Sequence, residues 1–506
     1  MARERASELP VLIVGAGPGG LTAAVALARH GVECAVVERR RSASSLPRAT
    51  AISTRSMELL RSWGLERGVR DGAAEIEWLQ WHCDTLASAA DGSGSAVGFP
   101  TREQSALISP TGPACVPQDH LESVLARHLR ALASAGSEVE FGTEVVEVDS
   151  GPDGVRAVLR DVAGGERRIV HARYLVAADG AHSTVRAKLG IPMQGPDALG
   201  NVVTALFRAP LWELVGAHRY GIYGINHPDA EGVLLPAGPG DRWLYGTQWD
   251  RTRHERAHFS EETMTRLIRL AVGVADLRPQ IERIGDFRFA AQLAERFRAQ
   301  SAFLVGDAAH RMTPRGGTGM NTAIHDGHDL GWKLAWVLRG WAAPGLLDAY
   351  EAERRPVAEH NVARSADPRG TTRSAAEELH ADLGGRITHA WLPAAAGGAR
   401  ISTLDLLDRG LTLLTGPDDG SWEQAAAAIP ASVPLAVRGM DVIPARALGI
   451  RTGGALLVRP DGVPAGSLAR GDDAVPALHA AVRSAVGGGL TRPGHAAASG
   501  QPPQAA

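Results

Sequence analysis

Residues 10–38 constrain the fold more than any other part of the chain. Val11-Leu12-Ile13-Val14 is an apolar run of strand length. Gly15-Ala16-Gly17-Pro18-Gly19-Gly20 follows directly, then an Ala-rich stretch from Leu21 to His30 that Gly31 stops. Glu-Cys-Ala-Val-Val-Glu, ending at Glu38, reads as the next strand. G-x-G-x-x-G between a strand and a helix lets a diphosphate approach bare backbone at a helix N-terminus, where free N–H groups and the helix dipole favour negative charge. Gly15, Gly17 and Gly20 are the glycines of that pattern, and Glu38 is the acid expected about twenty residues on, placed to accept from ribose hydroxyls. Arg39, Arg40 and Arg41 leave two readings open: a solvated basic run, or a site for a 2′-phosphate. The run from Val11 to Ala28 is long enough for a membrane helix, but its glycines and Pro18 break it into strand, turn and helix.

The rest of the composition excludes more than it identifies. A chain of 506 residues suggests about three domains. A formal net charge of −3 gives no reason to expect nucleic acid or an acidic membrane as partner. Cys34, Cys83 and Cys115 have neither zinc nor C-x-x-C spacing, which fits a reducing, cytoplasmic setting. Helices are expected over Ser53–Trp63, Gln118–Leu132, Gly319–Arg339 and Ala349–Arg364, the last kinked or restarted at Pro356. Residues 84–100 read as a loop, and 486–506 as a disordered tail with almost no large apolar side chains.

Two later segments narrow the choice of dinucleotide. Ala178-Asp179-Gly180-Ala181-His182-Ser183-Thr184-Val185-Arg186 follows one buried strand. Gly306-Asp307-Ala308-Ala309-His310 follows another and runs into Pro314-Arg315-Gly316-Gly317-Thr318-Gly319-Met320-Asn321. The four motifs in this order resemble the FAD-dependent aromatic hydroxylases, the single-component flavoprotein monooxygenases. Residues 329–358 are similar to the subgroup that oxidises aromatic polyketides, antibiotics and substituted phenols.

The resemblance implies an α/β fold. A Rossmann-like FAD-binding domain of the p-hydroxybenzoate hydroxylase type (1–75, 107–190 and 290–385) would carry an inserted antiparallel substrate domain (76–106 and 191–289). A thioredoxin-like domain without C-x-x-C would follow over 386–485. FAD is the implied cofactor, with NADPH or NADH as a transient reductant. Asp307 would accept from ribityl hydroxyls, and Gly306 would let the cofactor approach the backbone. Pro314, Gly316 and Gly317 would form the flavin loop, with no catalytic base assigned. Gly319, Met320 and Asn321 would open a helix pointing at the flavin. Arg39, Arg48, Gln118 and Asp179 complete the implied cofactor set.

The implied reaction passes one oxygen atom from a flavin hydroperoxide to a polycyclic aromatic or phenolic substrate. Insertion beside a ketone, or mere sequestering of an intermediate, are the alternatives. Tyr220, Tyr223, Trp243, Tyr245 and Trp249 are candidate substrate walls, with Phe289, Trp78 and Trp81 as further candidates for the same layer and His227 and Gln248 as polar contacts. His310, His325 and His328 lack the carboxylate pattern of a metal site. Asp326 and Asp329 read as local helix partners. The expected partners are a small aromatic molecule and O2, with no nucleic acid and no membrane, in a monomer or homodimer.

Overall fold

The structure, a computed structural model, describes residues 9–132, 138–253, 255–392, 400–417, 420–469 and 473–487. The stretch 10–38 folds as its pattern dictates: strand Leu9–Val14, helix Pro18–Arg29, strand Cys34–Glu38. These join a mixed sheet in which Ala302–Leu304, Arg167–Ala177, Leu9–Val14, Cys34–Glu38 and Val139–Phe141 lie side by side and parallel. Val14 pairs with Ala177, and Ala177 with Leu304. Three strands far apart in sequence therefore end at one edge, and their following turns, at Gly15, Ala178 and Val305, become neighbours. The C-terminal edge of such strands is where open α/β sheets bind ligands.

The helix Gly319–Leu338 packs closely along Pro18–Arg29. A Cβ added at Gly327 would lie 2.2 Å from the Gly19 carbonyl oxygen, and one at Gly331 2.6 Å from the Ala26 Cβ. Glycine at both positions is what allows the two backbones to approach.

A second, largely antiparallel sheet has the order Gln280–Phe289, Gly200–Arg208, Arg242–Gln248, Gly232–Pro236, Tyr220–Ile225, Glu77–Cys83, Ser93–Ala96. Its last strand lies in the stretch read as a loop. Ser-Gly-Ser-Ala has little strand propensity, but at this edge Gly94 lies under Trp81, where a Cβ would come within 2.9 Å of the ring. Helix Glu261–Val272 covers one face, burying Tyr223, Trp243, Tyr245 and Phe207 in a shared core.

The C-terminal sheet has the order Leu435–Gly439, Leu411–Thr415, Ala455–Val458, Pro464–Leu468, the first pair parallel and the others antiparallel, as in thioredoxin-like units. It docks on the rest of the molecule through buried ion pairs. Arg386 binds Glu58 at 2.7 Å, and Arg459 binds Glu353 at 2.6 Å. Asp329, Glu353 and Asp461 converge at this interface, where Lys333 and Arg459 already neutralise them. Asp329 bonds Lys333 four residues on in its own helix.

Two expectations need correction. Helix Asp348–Ala366 runs unbroken through Pro356, anchored from its first turns by the Tyr350 hydroxyl donating to the Leu304 carbonyl at 2.6 Å. Val486 and Gly487 are not part of a tail but end the helix Ala474–Gly487; residues 488–506 lie outside the described residues. No helix among the described residues is long and apolar enough to cross a membrane.

Candidate functional site

Three turns meet at the edge of the parallel sheet, and each glycine there has a different physical reason. Gly15 has φ +105°, and a Cβ on it would lie 2.2 Å from the Ala178 carbonyl oxygen. Gly20 has no room because the Gly15 carbonyl oxygen lies 2.1 Å from where its Cβ would be. Gly17, the N-cap of Pro18–Arg29, is the opposite: a Cβ there meets nothing within 4 Å. Two of the glycines thus serve packing inside the protein, and Gly17 borders open space above a helix N-terminus.

Glu38 is buried beside this turn. It accepts from the Ala16 N–H at 3.0 Å and the Arg40 N–H at 2.9 Å, and it pairs with the Arg40 guanidinium at 3.1 Å. Burial pushes its carboxyl up, but the bonds from Arg40 and Ala16 outweigh that and hold it below its ordinary value. Arg40 takes the inward position, while Arg39 and Arg41 are exposed. Gln118 opens helix Gln118–Leu132 and donates to Glu122 at 2.7 Å. Glu122 in turn lies 4.0 Å from Arg40. Glu38, Arg40, Glu122 and Gln118 therefore form one chain of polar contacts along the cleft.

The second motif is mostly an internal brace. Asp179 accepts from the Ser183 hydroxyl and from the Val185 N–H at 3.1 Å, capping helix Thr184–Lys188. Arg186 donates to the Ala308 carbonyl at 3.0 Å, tying this motif to the third.

Asp307 behaves differently. It makes no hydrogen bond or ion pair with any described residue, and its side chain is exposed. Yet burial by the surrounding protein pushes its carboxyl up, opposed by the charges of His310, Arg48 and Arg311. An accessible carboxylate enclosed by protein is one that lines a deep cleft. Arg48, exposed and likewise without a side-chain partner among the described residues, faces the same space.

The glycine-rich loop comes next in the chain. Pro314 is exposed, and Gly316 and Gly317 have φ +81° and +63°. Gly316 is pressed on Arg364, whose Nε lies 2.6 Å from where a Cβ would stand. Gly319 begins the long helix, and Met320 is buried. Asn321 has no capacity left for a ligand. It accepts from the Ser53 N–H and the Ser56 hydroxyl, both at 2.8 Å, and donates to the carbonyls of Ala51 at 3.0 Å and Gly317 at 2.9 Å. Its side chain clamps the loop; only its backbone is available to a cofactor.

The aromatic residues proposed as substrate walls do not line this space. Tyr223, Trp243 and Tyr245 are fully buried, and Tyr220 and Trp249 nearly so. Register explains why. Trp81, Tyr223, Leu234, Tyr245 and Ala205 are successive cross-strand partners, so they share the helix-covered face. His227 accepts from the Asp229 N–H in a turn. The other face carries Gln80, Ile222, Leu235, Leu244 and Leu206 in one cross-strand row and His82, Gly224, Val233, Gly246 and Thr204 in the next.

That second face borders the glycine loop at both ends. Trp78 packs on Phe99 with ring centroids 4.6 Å apart, and Phe99 lies 3.5 Å from where a Gly317 Cβ would be. At the other end the Arg315 guanidinium sits 5.5 Å over the Phe289 ring. Trp78 and Phe289 are thus near the loop, while Trp81 stacks on Tyr220 at 4.2 Å. Strand alternation is visible in sequence, but which alternate set meets a helix is not. Only the fold assigns Gln80, His82 and Leu244 to the open side.

A parallel sheet with its diphosphate turn, an unpartnered carboxylate in the cleft and a glycine loop facing an open sheet define a flavin-dependent oxidoreductase. The family comparison agrees. The FAD binding domain model matches residues 8–365, and the model for the C-terminal region of aromatic-ring hydroxylases matches 380–488. The chain belongs to the FAD-dependent aromatic-ring hydroxylases.

It is 35% identical to the tetracenomycin A2 monooxygenase-dioxygenase of Streptomyces glaucescens, over 90% of this chain and 92% of that one. It is 34% identical to a 4-methyl-5-nitrocatechol 5-monooxygenase of a Burkholderia species, over 90% and 93%. Among solved structures it resembles aklavinone-11 hydroxylase in complex with FAD and aklavinone, with TM-score 0.84, 31% identity, and coverage of 95% of this chain and 99% of that one.

Proposed function

We propose that this protein is an FAD-dependent monooxygenase that uses NADPH or NADH and O2 to hydroxylate a polycyclic aromatic substrate of the polyketide type. One observation carries the reading: the Asp307 carboxylate is accessible and unpartnered among the described residues, on one of the row of turns that also carries the open N-terminus at Gly17. These residues fit the cofactor. The helix N-terminus at Gly17 would hold the diphosphate, Asp307 would accept from sugar-alcohol hydroxyls, and Arg48 would offset the phosphate charge. The helix Gly319–Leu338 would direct its dipole at the ring, favouring negative charge there by about 0.3–1 kcal/mol. When bound, FAD supplies hydride acceptance and oxygen activation.

The chain's own task is then to hold a flat substrate and exclude water. Leu244, Leu235 and Ile222 offer an apolar platform, and Gly224 and Gly246 keep the next row shallow. Gln80 and His82 are the polar points along one margin. The 77–96 and 200–289 strands form the substrate side in this reading, and the parallel sheet the cofactor side. Turnover of candidate aromatic polyketides under 18O2 tests it. One labelled oxygen in a new phenol is expected, and substrate-stimulated NADPH consumption with no labelled product would count against it. A labelled lactone would instead mark insertion beside a ketone.

A further inference from the structure

Asp326 projects from the long helix into the protein rather than toward a helical neighbour, and its carboxylate is fully buried. One oxygen accepts from the Gly306 N–H at 3.2 Å and from His310 Nε2 at 2.6 Å. The other accepts from Arg354 Nε at 2.8 Å. Both ends of the Gly306–His310 turn are thus fixed to a single carboxylate. We propose that Asp326 is a positioning residue for cofactor binding, pinning this turn from inside so that Asp307 is held with its carboxylate free toward the cleft. The proposal rests on the FAD reading above.

The surroundings point the same way. Gly306 has φ +61°, and its carbonyl accepts from the Ala309 N–H at 2.7 Å, so the turn is tight. Arg186 holds the Ala308 carbonyl at 3.0 Å from the opposite side. Backbone on either side of Asp307 is therefore fixed, while Asp307 itself has no protein partner among the described residues.

The charges are matched. Arg354 neutralises Asp326, and His310 Nδ1 is buried without a partner, which assigns the proton to Nε2. Burial raises the Asp326 carboxyl, but its two partners, His310 and Arg354, prevail and bring it down to about 2, so it remains an acceptor. A buried carboxylate with two donors on one oxygen and a cation on the other leaves no freedom to the turn it holds. A side chain that braces the turn from behind in this way sets the orientation of the group that touches the ligand.

The test compares FAD affinity, read by flavin fluorescence on titrating FAD into each purified protein, in wild type, Asp326→Asn, Asp307→Ala and the double variant. Asparagine must turn an N–H2 toward one of the donors that Asp326 accepts from. FAD affinity should fall by about ten-fold or more in Asp326→Asn. In the Asp307→Ala background the same change should cost less than about three-fold, because a residue acting through Asp307 has nothing left to position. Unchanged affinity in Asp326→Asn, or losses that multiply, would overturn the proposal. Should Asp326→Asn not fold, His310→Gln and His310→Ala replace it. Gln keeps the donor and should retain FAD within about three-fold, whereas Ala should lose it about ten-fold; equal losses would overturn the proposal. Failure of the wild type to bind FAD would instead reject the site reading itself.

Discussion

The two large sheets build their parts of the site by opposite means. The parallel sheet uses an edge: Val14, Ala177 and Leu304 end together, and the turns beyond them form the proposed cofactor site. The antiparallel sheet uses a face, and the proposed substrate residues are those on the side away from helix Glu261–Val272. At an edge, function sits in residues whose type is forced by backbone geometry. On a face, function and packing use the same residue types and differ only in which way the side chain points.

The most severe way to break the edge is Gly15→Ala. The new Cβ would lie 2.2 Å from the Ala178 carbonyl oxygen at φ +105°. The expected cost is about 3 kcal/mol or more, with little soluble protein recovered. Gly17→Ala sharpens the contrast, since its Cβ meets nothing within 4 Å. That variant should fold with wild-type melting in the apo state and lose FAD affinity about ten-fold, measured by flavin titration. Loss of stability at both positions would mean that the space above Gly17 is not kept for a ligand.

The face is tested with two neighbouring residues. Trp243 is fully buried, with Trp212 at 4.6 Å, whereas Leu244 is half-buried on the other side. Trp243→Ala should cost about 3–5 kcal/mol in denaturant unfolding. Leu244→Ala should cost about 1 kcal/mol and instead raise the KM for the aromatic substrate. A KM effect in the well-folded Trp243→Phe that exceeds the effect of Leu244→Ala would reverse the assignment of faces.

This contrast also governs how much was legible in the sequence. The Gly15–Gly20 turn, Glu38, the Gln118–Leu132 helix and the Gly306–Asp307 turn are visible because glycine at a tight turn and apolar spacing along a helix leave few alternatives. The order of the four motifs was enough to give the family. The proposed substrate platform was not legible. Tyr220, Tyr223, Trp243, Tyr245 and Trp249 stand out by size, but size marks core as readily as binding surface. The open side is made of Leu, Ile, Gly and Thr, which carry no such mark. Asp326 was read as a local helix partner because its actual partners, His310 and Arg354, are 16 and 28 residues away on other elements.

Asp307→Ala separates ligand binding from folding at the edge. The carboxylate has no partner among the described residues, so its removal leaves nothing unpaired. The variant should purify largely colourless, while its apo-protein stability stays within about 0.5 kcal/mol of wild type. Retained yellow colour with full activity would reject the assignment of Asp307 to the cofactor.

An effect that depends on pH is expected behind the glycine loop. Asp382, on helix Ala375–Leu383, lines a pocket with Gly316, Gly317, His325 and Glu378 and accepts from the Arg55 N–H at 3.2 Å. Burial outweighs the bonds from Ser53 and Arg55 and pushes its carboxyl up from 3.8 to about 6. Between these values the folded protein keeps a proton that the unfolded chain has released. The stability that this proton contributes is complete below pH 3.8 and is lost as pH rises through about 6. The full shift corresponds to about 3 kcal/mol, and water reaching the pocket reduces it to about 1–3. Asp382→Asn keeps the acceptor oxygen for Arg55 but has nothing to titrate. Its stability relative to wild type should therefore rise by about 1–3 kcal/mol between pH 4 and pH 7, followed by denaturant unfolding at each pH. A difference that stays constant over that range would show that folding does not raise the carboxyl behind the loop. The loop's support would then be independent of pH, unlike the picture drawn from its burial.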